Sequence, residues 1–543
     1  MNYNGSRKCT LAEEYFCIYF LSTCSKAQVC SPTMRKIQQE APADKRKRAD
    51  KDSIRVCLPL VERRSRFPKV QNPLITELHL KLLRNETERL LAWTSWRDRT
   101  KPMKNLFHIL LTLRNQGARN NGYSDIGECW REELGIPDLE TSMERLYLLI
   151  KPLYSLLHAV VRFHLGRTYP GIVESKKPIP AHLLGDLHSQ NWESLIGLLL
   201  PKELSNLVDL KARKSHNFTV HDLLRISENF YTSLGFPSMT EEFWKNSIFE
   251  GNTRGRNRCH GAAINMFNPG DFRIFACLEV SIEAFRLIHH EMGHVQYYMA
   301  YEDQPAIFRD GASTAFHEAI GDAVMTGVMA PRNIKRFGLL RDHRSRETIE
   351  NWFGPSLKED NLTGPLDLVI LLRHALSKLP QLPYSMAIEK WRWGVFSEEI
   401  KPTEYNRAWW EINRKYMGVE PGTTRNEESL DAAAKLHVAD GTPYARYFLG
   451  QILQFQLFES MCNATRVKRS SPLHRCDIYR SKEAGDRLRS PMKLGRSTNW
   501  RYILRMMTGS TEYRAEPLLR YYQPLRKWLE HQIERHNITL GWE

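Results

Sequence analysis

His289-His290-Glu291-Met292-Gly293-His294, with Glu318-Ala319-Ile320-Gly321-Asp322 further along the chain, is the pair of stretches on which the reading turns. The first contains His-Glu-x-x-His. Positions i and i+4 share a helix face, so His290 and His294 can grip one ion through their imidazoles. Phe285, Ile288, Met292, Val295 and Met299 recur at alternating spacings of three and four, which is one apolar helical stripe. At 100° per residue the two histidines fall roughly opposite that stripe. The stripe can enter a core while the histidines face something else.

A catalytic zinc takes three protein ligands and leaves one position for water. Glu318 is a natural third ligand. Asp322, four residues on, points the same way and can fix the tautomer of a ligand histidine. Glu291 is not needed as a ligand and is free to take a proton from water. The plain alternative is a helix with two solvated or core-satisfied histidines. The second stretch argues against it, because Phe316, Ala319, Ile320, Ala323 and Val324 also keep helical spacing.

The chain has 543 residues, 42% hydrophobic and 10% aromatic, which suits a large folded domain and excludes a disordered chain. Net charge is +16, but part of it is the run Lys45-Arg46-Lys47-Arg48 in a poorly patterned segment. That run reads as a solvated tail, and nothing resembles a nucleic-acid platform. Ten cysteines and six Asn-x-Ser/Thr sequons, at Asn4, Asn85, Asn217, Asn361, Asn463 and Asn537, fit a glycosylated secreted protein. No stretch reads as a bilayer span, and no export signal is evident.

Residues 1 to about 55 lack pattern. Beyond them, Leu74–Trp93, Leu106–Arg114, Met143–Leu165, His221–Leu234 and Tyr447–Met461 predict amphipathic helices. One hairpin is predicted, with legs Ala262–Phe267 and Phe272–Phe275 around Asn268-Pro269-Gly270-Asp271, where Pro and Gly suit a type II turn. Such legs would bring Cys259 and Cys277 close.

Further blocks surround the metal motif: Pro180-Ala181-His182-Leu183-Leu184-Gly185, Lys390-Trp391-Arg392-Trp393, Ala434-Lys435-Leu436-His437, Pro443-Tyr444-Ala445-Arg446-Tyr447-Phe448 and Cys476-Asp477-Ile478-Tyr479. In this order they resemble the angiotensin-converting enzyme family of zinc peptidyl-dipeptidases, over roughly residues 70 to 543. The resemblance implies a mostly α fold: a two-lobed helical ellipsoid with a deep central groove and a small β-hairpin near the zinc. It implies one domain over 56–543, preceded by an N-terminal segment, 1–55, too short to supply the family's lid helices.

Residue by residue, the resemblance makes His290, His294 and Glu318 the zinc ligands and Glu291 the acid–base residue. Tyr447 and His437 fall where the family stabilises the oxyanion. Gln190, Lys435 and Tyr444 fall where it holds the substrate's terminal carboxylate. His260 and Ala263 fall where it meets substrate backbone. An anchor two residues from the zinc sets a ruler of about 7 Å, so a dipeptide leaves. Cys259–Cys277 and Cys462–Cys476 match the family's disulfides, and Cys57–Cys129 is a candidate third. At the family's chloride sites Arg97, Trp409 and Arg446 match, while Asn413 and Leu134 replace an arginine and a tyrosine. Weakened chloride activation is therefore expected. Gln381 and Gln451 stand where the family has phenylalanines, making that pocket more polar. The chain stops at Glu543 without a stalk or anchor, which resembles the soluble single-domain members.

The expected substrates are short peptides with a free C-terminus. Two rivals are a carboxypeptidase releasing single residues and a catalytically silent binding protein of the same fold.

Overall fold

The computed structural model of the chain describes residues 85–205, 218–250, 261–339, 364–465 and 471–542. The 1–55 segment, Cys57, Cys259 and His260 lie outside the described residues. The fold is mostly helical. Its longer helices are α1 (Glu86–Asp98), α2 (Lys104–Arg119), α3 (Ile126–Glu133), α4 (Leu139–Thr168), α5 (Val220–Ser233), α6 (Ile282–Ala300), α7 (Thr314–Val328), α8 (Pro365–Lys378), α9 (Gln381–Phe396), α10 (Tyr405–Met417) and α11 (Ala445–Ala464). The described strands are four: β1 (Ile179–Pro180), β2 (Ala262–Asn265), β3 (Phe272–Phe275) and β4 (Val419–Glu420). They form two small sheets, parallel β1–β4 and antiparallel β2–β3.

The chain divides into two compact units. The first draws on residues up to 133 together with 388–412 and 423–444; the second holds the remainder. In the first unit, α1 starts at Asn85, whose side chain accepts from the Thr87 and Glu88 amides. Its core is aromatic. Phe107 stacks on Trp391 at 5.8 Å, Trp391 meets Trp409 edge-on at 6.0 Å, and Trp93 lies 5.7 Å from Trp410. Asn115 is buried there, and both ends of its amide are used, by the Phe396 carbonyl and the Ile126 N–H.

In the second unit, α4 corrects one sequence expectation. It is long and apolar enough to cross a membrane by length and composition. However, 67% of its apolar window is buried inside the protein, and Tyr147, Tyr154 and His158 spend their polar tips on the carbonyls of Tyr416, Met417 and Gly418. Those are the contacts of a core helix.

The centre of this unit is the stack of α6, α7 and α11. Ser281 caps α6 by accepting from the Ala284 N–H, and the apolar stripe Phe285, Ile288, Met292 and Val295 is buried, as its periodicity predicts. α6 and α7 cross where Gly293 meets Gly321. A Cβ on Gly293 would lie 2.3 Å from the Gly321 Cα, and one on Gly321 would lie 2.5 Å from the His290 carbonyl oxygen. Two glycines therefore let the backbones touch, which brings the His-Glu-x-x-His and Glu-x-x-x-Asp helices within side-chain reach. The β2–β3 hairpin forms in the predicted place, with Ala263 opposite Ile274. Its turn closes with Asp271 N–H on the Asn268 carbonyl, and Gly270 takes φ +70°. The Tyr298 hydroxyl of α6 donates to the Ala263 carbonyl at 3.2 Å, docking the hairpin on the helix that carries the histidines.

Candidate metal centre

His290 and His294 sit one turn apart on α6 with their Nε2 atoms 3.2 Å from each other. Glu318 reaches in from the first turns of α7, its Oε2 3.6 Å from His290 Nε2. One donor atom from each of the three lies within 4.8 Å of the others, the one such group of His, Cys, Asp or Glu among the described residues. Tetrahedral zinc bonds of about 2.0–2.1 Å put neighbouring donor atoms about 3.3 Å apart. With both rings protonated on Nδ1, two imidazole lone pairs face each other at 3.2 Å, an arrangement that a shared cation between them would stabilise. Number, chemistry and spacing of the donors all fit zinc.

The groups behind the donors aim them. His290 Nδ1 lies 3.0 Å from Asp322 Oδ1. That contact puts the ring proton on Nδ1 and leaves the Nε2 lone pair facing the cluster. Asp322 Oδ2 is held in turn by Lys378 Nζ at 2.6 Å and by Gln451 Nε2 at 3.5 Å. His294 Nδ1 lies 3.2 Å from His317 Nδ1. Lys378 and His317 escaped the sequence reading. Neither has a spacing signal, because each meets the cluster only through the packing of separate helices. His289, next to the motif, has a structural place instead: its carbonyl accepts from Tyr231, and its Nδ1 faces Ser227 and the Phe285 carbonyl.

The electrostatics follow from burial and three carboxylates. Burial works against charge on His290, but Asp322, Glu291 and Glu318 outweigh it and push its pKa up to about 9. Burial, with the neighbouring His290 and His317, holds His294 well below the usual histidine range. Burial pushes the Glu318 carboxyl up, although His290 and Arg446 pull the other way. Asp322 is depressed because Lys378 and His290 overcome its desolvation. Glu291 is buried on α6, and its charge reaches His290, Glu318 and Tyr298.

The remaining predicted residues fall into two sets. Tyr447 and Arg446 begin α11, in the same unit as the cluster. Tyr447 lies one turn before Gln451, which reaches Asp322, and three residues before Gly450, whose Cβ position is 2.9 Å from the Glu318 Cβ. Gln190 belongs to this unit too, with its N–H on Asp186 Oδ1. Gln451 also donates to Gln381 at 3.2 Å and accepts from Gln454 at 2.7 Å, so the two glutamines of the expected polar pocket are paired with each other. His437, Lys435 and Tyr444 belong to the first unit and cluster there. The His437 and Tyr444 rings are 5.3 Å apart, and Lys435 Nζ is 5.8 Å from the Tyr444 ring.

At the chloride positions, Arg97 is buried, stacked 3.8 Å over Trp93, and its charge reaches Asp431. Trp409 packs on Trp391 and Trp410. Cys462 and Cys476 are bonded, with Cα atoms 6.0 Å apart, and Cys277 is disulfide-bonded. The Cys57–Cys129 expectation is corrected: Cys129 is a free, half-buried thiol on α3, and burial beside Glu133 and Glu132 raises its pKa.

Comparison of the sequence with known proteins matches one family. A family model described as angiotensin-converting enzyme matches residues 22–542, reaching further toward the N-terminus than the sequence reading placed the resemblance. The angiotensin-converting enzyme of Mesocricetus auratus is 39% identical over 465 residues, covering 84% of this chain and 34% of that protein. That of Theromyzon tessulatum is 39% identical over 461 residues, 84% of this chain and 72% of that protein. The angiotensin-converting enzyme-like protein Ace3 of Mus musculus is 36% identical over 464 residues, 84% of this chain and 60% of that protein. The chain thus spans about a third of the length of the mammalian angiotensin-converting enzymes it matches.

Proposed function

The chain belongs to the angiotensin-converting enzyme family, and on that footing we propose that it is a zinc metallopeptidase releasing C-terminal dipeptides from short peptides. The observation that carries the proposal is the convergence of His290, His294 and Glu318 within 4.8 Å, with Glu291 beside them and Asp322 behind His290. His290, His294 and Glu318 would hold the ion. Zinc bound there supplies a Lewis acid that polarises the scissile carbonyl and makes a water acidic near neutral pH.

The protein's own groups do the rest. Asp322, braced by Lys378, keeps the His290 proton on Nδ1. Glu291 takes the proton of the attacking water on its carboxylate and passes it to the leaving amine nitrogen. The family resemblance gives the Tyr447 hydroxyl the role of donor to the oxyanion of the tetrahedral intermediate, and gives the His437 ring N–H the same role. Lys435, with Tyr444 beside it as a neutral donor, suits the terminal carboxylate, a role the family resemblance also gives Gln190. His260 and the Ala263 strand receive the main chain of the departing residues. Gln381 and Gln451 make their pocket more polar, with the two amides joined to each other.

An extracellular site of action fits the chain. The sequon asparagines among the described residues, Asn85, Asn463 and Asn537, are all exposed, as glycan attachment requires, and the Cys462–Cys476 bridge suits an oxidising compartment.

The test is product analysis. The zinc-loaded protein and its Glu291→Ala variant are incubated with a decapeptide, and the products are read by mass spectrometry. Loss of two C-terminal residues by the wild type alone is expected. Loss of one residue would assign the single-residue carboxypeptidase. Equal, slow hydrolysis by both proteins would assign the silent binding protein.

A further inference from the structure

His317 lies beside the third candidate ligand in sequence, but its side chain serves the second. Its Nδ1 is 3.2 Å from His294 Nδ1. Its Nε2 is 3.2 Å from the Tyr301 hydroxyl and 3.8 Å from Asp310 Oδ1. Its ring packs among aromatic neighbours, 4.6 Å from Tyr297 and 5.3 Å from Tyr298. The ring is thus held on both edges and on its flanks.

The hydrogen positions follow from the heavy atoms. His294 turns Nε2 toward His290 Nε2 and the cluster, so a neutral, ligating His294 carries its proton on Nδ1. That N–H points at His317 Nδ1, which must then accept. A neutral His317 accepting at Nδ1 carries its own proton on Nε2. Nε2 faces an oxygen acceptor, the Tyr301 hydroxyl, with the Asp310 carboxylate just beyond. Every donor in this row meets an acceptor, in one direction only.

We propose that His317 is a positioning residue for the metal site, an imidazole that accepts from His294 Nδ1 and is locked in its own Nε2–H form by Tyr301 and Asp310. The proposal rests on the reading of the His–His–Glu cluster as a zinc site. The two ligand histidines are then braced differently. His290 leans on a charged carboxylate, Asp322, which Lys378 partly neutralises. His294 leans on a neutral ring whose orientation depends on residues of the 301–310 turn. The metal site is thereby coupled to that turn, and to Arg496, 3.7 Å from Asp310 Oδ2.

The test measures zinc affinity of the full chain by chelator competition, and the absorption spectrum of the cobalt-substituted protein. His317→Phe keeps the ring volume and removes the acceptor. His317→Asn restores an acceptor oxygen near the Nδ1 position. The expected result is a zinc dissociation constant raised about 10- to 100-fold in His317→Phe, with an altered cobalt spectrum, and largely recovered in His317→Asn. Wild-type affinity and spectrum in His317→Phe overturn the proposal, as does equal weakening in both variants, which is what a merely structural ring would give. A wild-type chain that takes up no zinc overturns the zinc reading itself. Circular dichroism of the metal-free variants separates loss of fold from loss of the acceptor, and Tyr301→Phe, which leaves His317 in place, repeats the test by freeing its Nε2 edge: unchanged affinity there counts against the lock.

Discussion

Glu389 and Arg392, one turn apart on α9, form a two-pronged ion pair sealed from solvent. Arg392 Nη2 donates to Glu389 Oε1 at 2.8 Å and Nε to Oε2 at 3.3 Å, with the Arg and Glu side chains 1% and 2% exposed. The pair also grips the 435–444 segment. Arg392 Nη1 donates to the carbonyls of Thr442, at 2.6 Å, and His437, at 3.3 Å, and Glu389 accepts from the Tyr444 N–H. The backbone that carries Lys435, His437 and Tyr444 is therefore tied to one buried charge pair.

Removing one partner strands the other charge, at a cost of about 3–5 kcal/mol, whereas replacing both with apolar groups is often nearly neutral. Glu389→Met or Arg392→Met alone should lower the urea midpoint strongly. The double Met variant should recover most of that loss, yet still bind peptides bearing a free C-terminal carboxylate more weakly, because the ties to 437, 442 and 444 are gone. A double variant less stable than either single one would contradict this.

The space around their Cβ positions predicts opposite outcomes for two helical glycines, one at the α6–α7 crossing and one on α2. A Cβ at Gly321 would sit 2.5 Å from the His290 carbonyl oxygen and 2.9 Å from its Cα, both backbone atoms. Gly321→Ala should destabilise by about 1–3 kcal/mol and weaken zinc binding, since the ligand helix itself must move. Gly117, within α2, has nothing within 4 Å of its Cβ position. Gly117→Ala should stabilise by about 0.4–1 kcal/mol. Thermal melts of both variants, with zinc titration of the first, check the pair.

How far the sequence leads is visible at the same crossing. His290 and His294 share a face because of helical spacing, and Glu318 and Asp322 repeat that logic, so both rows were legible as patterns. The hairpin was legible from its Pro-Gly turn. What aims the donors was not: Lys378 approaches from α8 and His317 from beside Tyr301, and no local spacing announces either. The membrane-length apolar run of α4 went unread because tyrosines, His158 and Pro152 interrupt it. Cys129 was a candidate disulfide partner only beside the two bridges that the resemblance implies, and it is a free thiol.

Chloride dependence is the next expectation. Arg97 has its guanidinium stacked on Trp93, and Asp431 already lies within reach of its charge. Asn413 adds no second cation, and Leu134 offers Arg446 no hydroxyl partner. Peptidase rates measured in chloride-free buffer and on titration with chloride should therefore differ by about two-fold or less, the size of one weak surface-type ion contact. A steep rise would show that an anion is needed after all.

Acid stability has a specific contributor at Asp367, near the start of α8. Burial alone would raise its carboxyl. His474 at 3.5 Å, Arg475 at 2.7 Å and the Gly364 N–H at 2.8 Å outweigh that and hold it at about 2. A carboxyl depressed in the folded state stabilises at pH values above its unfolded pKa, near 4. That contribution is lost as pH falls through the folded value. The shift corresponds to roughly 2 kcal/mol at neutral pH. Asp367→Asn should therefore be less stable than wild type at pH 6, and the gap between their urea midpoints should narrow as pH falls from 5 to 3. A gap that stays constant over that interval would mean the folded-state carboxyl titrates near its ordinary value, and that Arg475 contributes packing and not charge.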